Sequence, residues 1–144
     1  MNPFLYALSL DLYGENSIHS IVGQESSGGQ FNGICLDQSD KPHNPMVNAG
    51  ALLLASIFRP EISRHLRHRE FITELKRMAG DSDSIVFDYA AFMSERTNCH
   101  RNAALTYYLR EQKCIKSKFE DNFFVAFEPL FTFIMIIIYW FKIL

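Results

Sequence analysis

Cysteine is scarce in this chain. Its 144 residues include three, Cys35, Cys99 and Cys114, and no Cys-x-x-Cys pair. A zinc knuckle built on such pairs is excluded, an odd count gives no disulfide framework, and scattered thiols suit a reducing compartment. No metal and no cofactor is expected. An excess of charge of one sign is also missing. Fourteen Lys+Arg face 16 Asp+Glu, a net charge of −2, so there is no broad basic field to hold phosphates, and nucleic acid is not an expected partner. The N-terminus lacks a targeting pattern. Met1 to Leu10 is apolar without a basic start, and Asp11, Glu15 and Asn16 follow at once, which fits neither a secretory signal nor a transit peptide. Nucleophile motifs are absent too. There is no Gly-x-Ser-x-Gly, and no serine stands three residues before Lys41, Lys76, Lys113, Lys116, Lys118 or Lys142. A hydroxyl nucleophile with a lysine base one helical turn away is therefore not encoded here. The run Ser26-Ser27-Gly28-Gly29 lacks the lysine and spacing of a phosphate loop and reads as a turn.

What is present is a globular composition, with 48% apolar and 21% charged residues at the length of one domain. It breaks near Ile115. Upstream, charged and apolar residues are interleaved. From Phe123 to Leu144, 18 of 22 residues are apolar and only Glu128 and Lys142 are charged.

The upstream part reads as mainly helical. Asn2-Pro3 opens a helix, since proline is tolerated in a first turn. Phe4, Leu5, Leu8 and Leu12 recur at helical spacing, and Gly14 ends it. Residues 26–33 are a polar, glycine-rich loop. Asn44-Pro45 is expected to open a second helix, apolar nearly all round and hence buried, which Pro60 stops. A third is expected over 61–79, with Leu66, Ile72, Leu75, Met78 and Ala79 inward and Gly80 after it. A fourth covers about 88–94. A fifth covers 101–112, with Ala104, Leu105, Tyr108 and Leu109 inward.

Two polar stretches interrupt this pattern. In Lys41-Pro42-His43-Asn44-Pro45-Met46-Val47-Asn48-Ala49-Gly50, Asn48 falls in the first turn of an apolar helix. Its amide both donates and accepts, which suits a zwitterionic ligand; Asn44 could equally be a plain helix cap. In Ser94-Glu95-Arg96-Thr97-Asn98-Cys99-His100-Arg101-Asn102, Glu95 could hold an ammonium and Asn102 a carboxylate, or the whole could be a solvated turn. A third stretch, residues 64–69, reads as a solvated basic helix face with i,i+4 pairs. His65 and His68 have no carboxylate or cysteine to complete a metal set.

The first stretch resembles the signature of the serine-dependent glutaminases. Further segments are similar in order and spacing: Tyr6-Ala7 after Pro3, Gly23 through Phe31 and Asn32, Met78-Ala79-Gly80, Ser94-Glu95-Arg96, Arg101-Asn102 and Tyr107-Tyr108-Leu109. The resemblance covers about residues 2–115. It implies an α+β fold like that of serine β-lactamases and DD-peptidases, of which this chain would hold a mainly α-helical part. It implies an amidohydrolase in which a lysine-activated serine attacks the side-chain amide of L-glutamine, releasing ammonia and then L-glutamate. It implies that Asn48, Glu95 and Asn102 bind that glutamine. It also implies a homo-oligomer, or partnership with intact glutaminase subunits, and a mitochondrial location in an animal or a cytoplasmic one in a bacterium.

The departures are equally specific. Asn2 stands at the family's lysine position, and the chain begins after the serine position. No catalytic residue is therefore assigned, and the chain alone is expected to be inactive. The turn Thr97-Asn98-Cys99-His100 differs from the family's usual Glu-Ser-Gly-Asp-like run.

Residues 1–115 thus read as a partial glutaminase catalytic domain and 116–144 as an unrelated apolar tail. Phe123 to Phe141 would extend about 28 Å as a helix, close to the hydrocarbon thickness of a bilayer. The tail reads either as a membrane-spanning segment, which would make this a tail-anchored protein, or as read-through beyond a proper exon end. A non-catalytic truncated isoform is the other alternative to an enzyme. Expression of the chain with and without residues 116–144 separates a buried tail from an exposed one. Deletion is expected to move the protein to the soluble fraction, and an unchanged distribution would mean that the tail is buried.

Overall fold

A computed structural model describes residues 2–80, 85 and 87–115. Residues 116–144, with both readings of the apolar tail, lie outside the described residues. Six helices are described: α1 (Asn2–Tyr13), α2 (Glu15–His19), α3 (Asn48–Ile57), α4 (Arg64–Met78), α5 (Tyr89–Thr97) and α6 (His100–Glu111). No strand occurs among the described residues. None of the helices described is long and apolar enough to cross a membrane.

α3 is the centre of the packing. Every residue from Ala49 to Ser56 is buried, as an apolar circumference requires. α1 packs along it with Leu5 and Leu8. α6 packs along it with Leu105 and Leu109, and α4 adds Phe71 and Leu75 to the same core. Phe58, just past α3, meets Phe71 edge-on with ring centroids 5.6 Å apart, a favoured aromatic geometry. The buried hydroxyls of Ser9 and Ser56 bond back to the carbonyls of Leu5 and Leu53 at 2.7 and 2.6 Å, so neither is orphaned.

The helix ends follow local chemistry. Gly14, at φ 75°, takes the left-handed conformation that stops α1, and its N–H bonds the Leu10 carbonyl at 2.9 Å. α2 starts on the next residue. It went unread in the sequence because five residues are too few to show a period. The Asp88 carboxylate caps α5 through the Ala91 N–H at 2.9 Å. The end of α3 is capped from a distance. Tyr13 donates its hydroxyl to the Ile57 carbonyl at 2.8 Å and accepts the Arg59 N–H at 2.9 Å.

Four expectations need correction. α3 begins at Asn48, not at Asn44-Pro45. Among the described side chains of α4 the buried ones are Arg67, Phe71 and Leu75, whereas Met78 is exposed and Leu66 and Ile72 only half-buried. On α6, Ala104 faces solvent and Thr106 is buried in its place. The basic stretch is not wholly a solvated face either. Arg67 lies along the core with Nη2 3.4 Å from the Ile62 carbonyl, and His68 stacks edge-on to Phe87 at 5.0 Å. Phe71 and Phe58 win the core-facing side of α4, and that rotation carries Arg67 inward, where its long stem can be buried.

Burial lowers the pKa of His68 below the ordinary 6.5, because an imidazolium there would lose hydration. A base with a depressed folded pKa destabilises the fold as pH falls, since the unfolded chain takes up the proton first. Thermal stability is therefore expected to decline as pH drops below 6.5. His68→Gln should flatten that slope; an identical slope in the variant would show that His68 is not responsible.

Candidate functional site

The site is built at the N-terminal end of α3. The segment leading into it is fixed by backbone pairing: Gly23 N–H bonds the Pro42 carbonyl at 2.8 Å, and Glu25 N–H bonds that of His43 at 3.1 Å. Ahead of this lies a turn held by Asp37. Its carboxylate accepts from Lys41 N–H at 3.0 Å and Ser39 N–H at 2.7 Å, and these bonds, led by Lys41, hold its pKa below 3.8. The Cys114 thiol donates to the Asp40 carbonyl at 3.2 Å and ties the end of α6 to this turn. Burial raises that thiol's pKa, which disfavours the reactive thiolate.

Asn44 then acts as a turn residue, not as the cap of a helix starting at Pro45. Its Oδ1 accepts from Met46 N–H at 2.9 Å and Val47 N–H at 3.2 Å, while its Nδ2 donates to the Glu25 carbonyl at 2.7 Å. Such an Asx turn satisfies in one side chain what several backbone groups would otherwise need. It delays the helix by one turn and makes Asn48 the first residue of α3. Asn48 is pinned there, its N–H bonding the Phe31 carbonyl at 2.8 Å.

Two of the three candidate residues meet. Asn48 Nδ2 donates to Asn102 Oδ1 at 2.9 Å, joining the starts of α3 and α6 across 54 positions of sequence. Both side chains are half-buried. With that bond made, Asn48 keeps its Oδ1 as an acceptor and Asn102 keeps its Nδ2 as a double donor. Asn102 is held from below, where Thr106 bonds its carbonyl at 3.0 Å. Glu95 is not part of this contact. It lies exposed in the last turn of α5 and bonds no described residue through its carboxylate. Only Asn98 and Cys99 separate α5 from α6, so Glu95 and Asn102 flank one tight corner. Asn2, at the start of α1, donates its amide to the Met46 carbonyl at 2.7 Å. That contact went unread, and the only signal for it was a polar residue opening an apolar helix.

A separate groove of about 570 Å³ lies near the other end of α3, between α1 and α4. Its rim holds Asp11, Arg59, Arg69, Glu70, Glu74 and Arg77, and none of Asn48, Glu95 or Asn102 lines it. The ion pairs there, Arg59–Glu70 at 3.2 Å and Arg77–Glu74 at 2.8 Å, are exposed. Such pairs contribute about 0–1 kcal/mol each.

The family model described as Glutaminase matches residues 1–128. The chain belongs to the glutaminase family. Among its relatives is the mitochondrial liver isoform of glutaminase from Rattus norvegicus, 37% identical over 114 residues, which are 79% of this chain and 19% of the rat protein. A glutaminase from Shewanella sp. (strain ANA-3) is 37% identical over 109 residues, 74% of this chain and 35% of that one. A Bacillus glutaminase, solved in the presence of 4.3 M NaCl, superposes with a TM-score of 0.77 at 27% identity, covering 90% of this chain and 42% of its own. The chain thus spans about a fifth of the length of the animal glutaminases it matches. The boundary read at residue 115 falls inside the span of the family model.

Gly50 is the packing constraint on this site. A Cβ there would run into the Asn44 carbonyl, which is backbone and cannot swing aside. Alanine in a helix gains about 1 kcal/mol over glycine, whereas overpacking costs about 1–3 kcal/mol. Gly50→Ala is therefore expected to destabilise the chain and lower its melting temperature by several degrees. Thermal unfolding checks this, and a raised melting temperature would show that the turn yields freely.

Proposed function

We propose that this chain carries the amino-acid-binding part of a glutaminase site, with L-glutamine as its ligand, and that the whole protein belongs to the chemistry that hydrolyses L-glutamine to L-glutamate and ammonia. The observation that carries the reading is the Asn48–Asn102 bond, which leaves an acceptor and a double donor side by side at one helix end. A zwitterionic amide ligand needs such a set: amide donors for its carboxylate and an opposing carboxylate for its ammonium. Glu95, at the adjacent corner, supplies the latter. The remaining donors of Asn102 suit the ligand carboxylate.

The reading extends to architecture. The described helices form the helical part of an α+β fold resembling the serine β-lactamases. Residues 1–115 form the catalytic-domain portion, and 116–144 a separate apolar tail. Further copies, or intact subunits of the family, are the partners expected, and a mitochondrial location follows if the source is animal. No residue in this chain is assigned as nucleophile or base. Asn2 cannot take up a proton at neutral pH, so it does not replace a lysine base. Loss of a nucleophile–base unit lowers rates by several powers of ten.

Calorimetric titration with L-glutamine and an ammonia-release assay on residues 1–144 test both halves. Binding without turnover is expected. Asn48→Ala and Asn102→Ala should each weaken binding about 5- to 100-fold, the worth of one or two lost hydrogen bonds. Turnover comparable with an intact glutaminase would overturn the catalytic half, and unchanged affinity in both variants would overturn the site.

A further inference from the structure

We infer that Asn2 is a positioning residue. Its amide holds the turn that orients Asn48. The inference deepens the glutamine-site reading and rests on it only for the effect on ligand affinity.

The chain of contacts is continuous. Asn2 Nδ2 donates to the Met46 carbonyl at 2.7 Å, across 44 positions of sequence. The N–H of the same residue, Met46, is held by Asn44 Oδ1 at 2.9 Å. Both polar ends of the Met46 backbone are thus fixed by asparagine side chains, while its own side chain is 40% exposed. Two residues later Asn48 begins α3 and reaches Asn102. The neighbours of Met46, Pro45 and Val47, are buried and half-buried, with Val47 packed on the core, so apolar packing holds the flanks and the two amide bonds fix the Met46 peptide groups between them. Asn44 alone fixes the turn internally and to Glu25. Asn2 alone, among the described bonds of this turn, ties it to α1, which is anchored in the core by Leu5 and Leu8. Removing the Asn2 donor frees the Met46 carbonyl between the packed Pro45 and Val47, and the loosened start of α3 then lets the Asn48 side chain sample rotamers in which its bond to Asn102 is open. A ligand that uses the pair must close it again, which raises its apparent dissociation constant by the reciprocal of the fraction of time the pair is closed.

Aspartate is close to isosteric with asparagine and cannot donate at neutral pH, so Asn2→Asp removes the bond with little change of shape; glutamine at this position restores an amide donor. Hydrogen exchange of the Asn48 and Asn102 side-chain amides, followed by NMR in wild type, Asn2→Asp and Asn2→Gln, reads the pair without any ligand. Titration with L-glutamine then reads its consequence. Asn2→Asp is expected to speed exchange at both side chains while the backbone amides of Leu52 to Leu54 keep their protection. It should also weaken L-glutamine binding about five- to tenfold, with Asn2→Gln closer to wild type. Unchanged side-chain exchange in Asn2→Asp would overturn the inference whatever the ligand does. A general loss of protection through α3 would also overturn it, because Asn2 would then be part of the fold and not of the positioning. Faster exchange together with no wild-type binding of L-glutamine would leave the positioning role standing and remove the glutamine reading.

Discussion

The structure depends on α3 having no face for water. Eight consecutive buried residues, Ala49 to Ser56, force other helices onto its sides and leave its two ends as the only places where polar groups gather. Buried apolar side chains contribute roughly 1.5–3 kcal/mol each when removed from water, so α1 and α6 are drawn onto α3, and α4 onto Phe58 just past its end, more strongly than any surface ion pair could direct them. The ends then need partners for the backbone groups a helix leaves unsatisfied. Tyr13 serves the C-terminal end. The asparagine-rich turn serves the N-terminal end. The second arrangement gathers several amides in one half-buried place, which is the raw material of a site for a polar small molecule.

Much of this is legible in the sequence. The apolar circumference of α3 is visible as an unbroken run, and burial follows from it. Gly14 and Gly80 end helices where their lack of a side chain allows it. Asn48 and Asn102 stand out as amides at helix starts, and the similarity to glutaminases names both. The places where the reading fails have physical causes. Asn44-Pro45 fits a helix start by local rule, yet an asparagine side chain can close a turn on the N–H groups two and three residues on, and here it does so. Periodicity on α4 marks Leu66 and Met78 because it counts apolar residues, whereas the rotation of the helix is set by Phe71 meeting Phe58. That rotation buries Arg67 and brings His68 onto Phe87.

Long-range polar contacts are the part that local patterns do not carry. The bonds Asn2–Met46 and Asn48–Asn102 span 44 and 54 positions. Neither has a periodic signature, because each depends on which turn of one helix meets which loop of another. Family resemblance marks the residues but not their bonds. The position where that resemblance expects a lysine illustrates this, since the sequence shows only a missing base and the structure shows an amide in use. Glu95 is the reverse case. Its role is named by resemblance, and its carboxylate is left open to solvent by the described fold.

The Tyr13 cap has a consequence for the order in which the protein is made. A ribosome delivers α1 before α3, so Leu5 and Leu8 emerge ahead of the helix that covers them. The surface that buries them, and the carbonyl of Ile57 that accepts the Tyr13 hydrogen bond, emerge more than 40 residues later. α6, which covers another side of α3, comes later still. Between the synthesis of α1 and that of α3 the nascent chain therefore displays a sticky stripe whose partner has not yet been built. Its exposure is set by the speed of translation between α1 and α3, and chaperone demand falls on that interval.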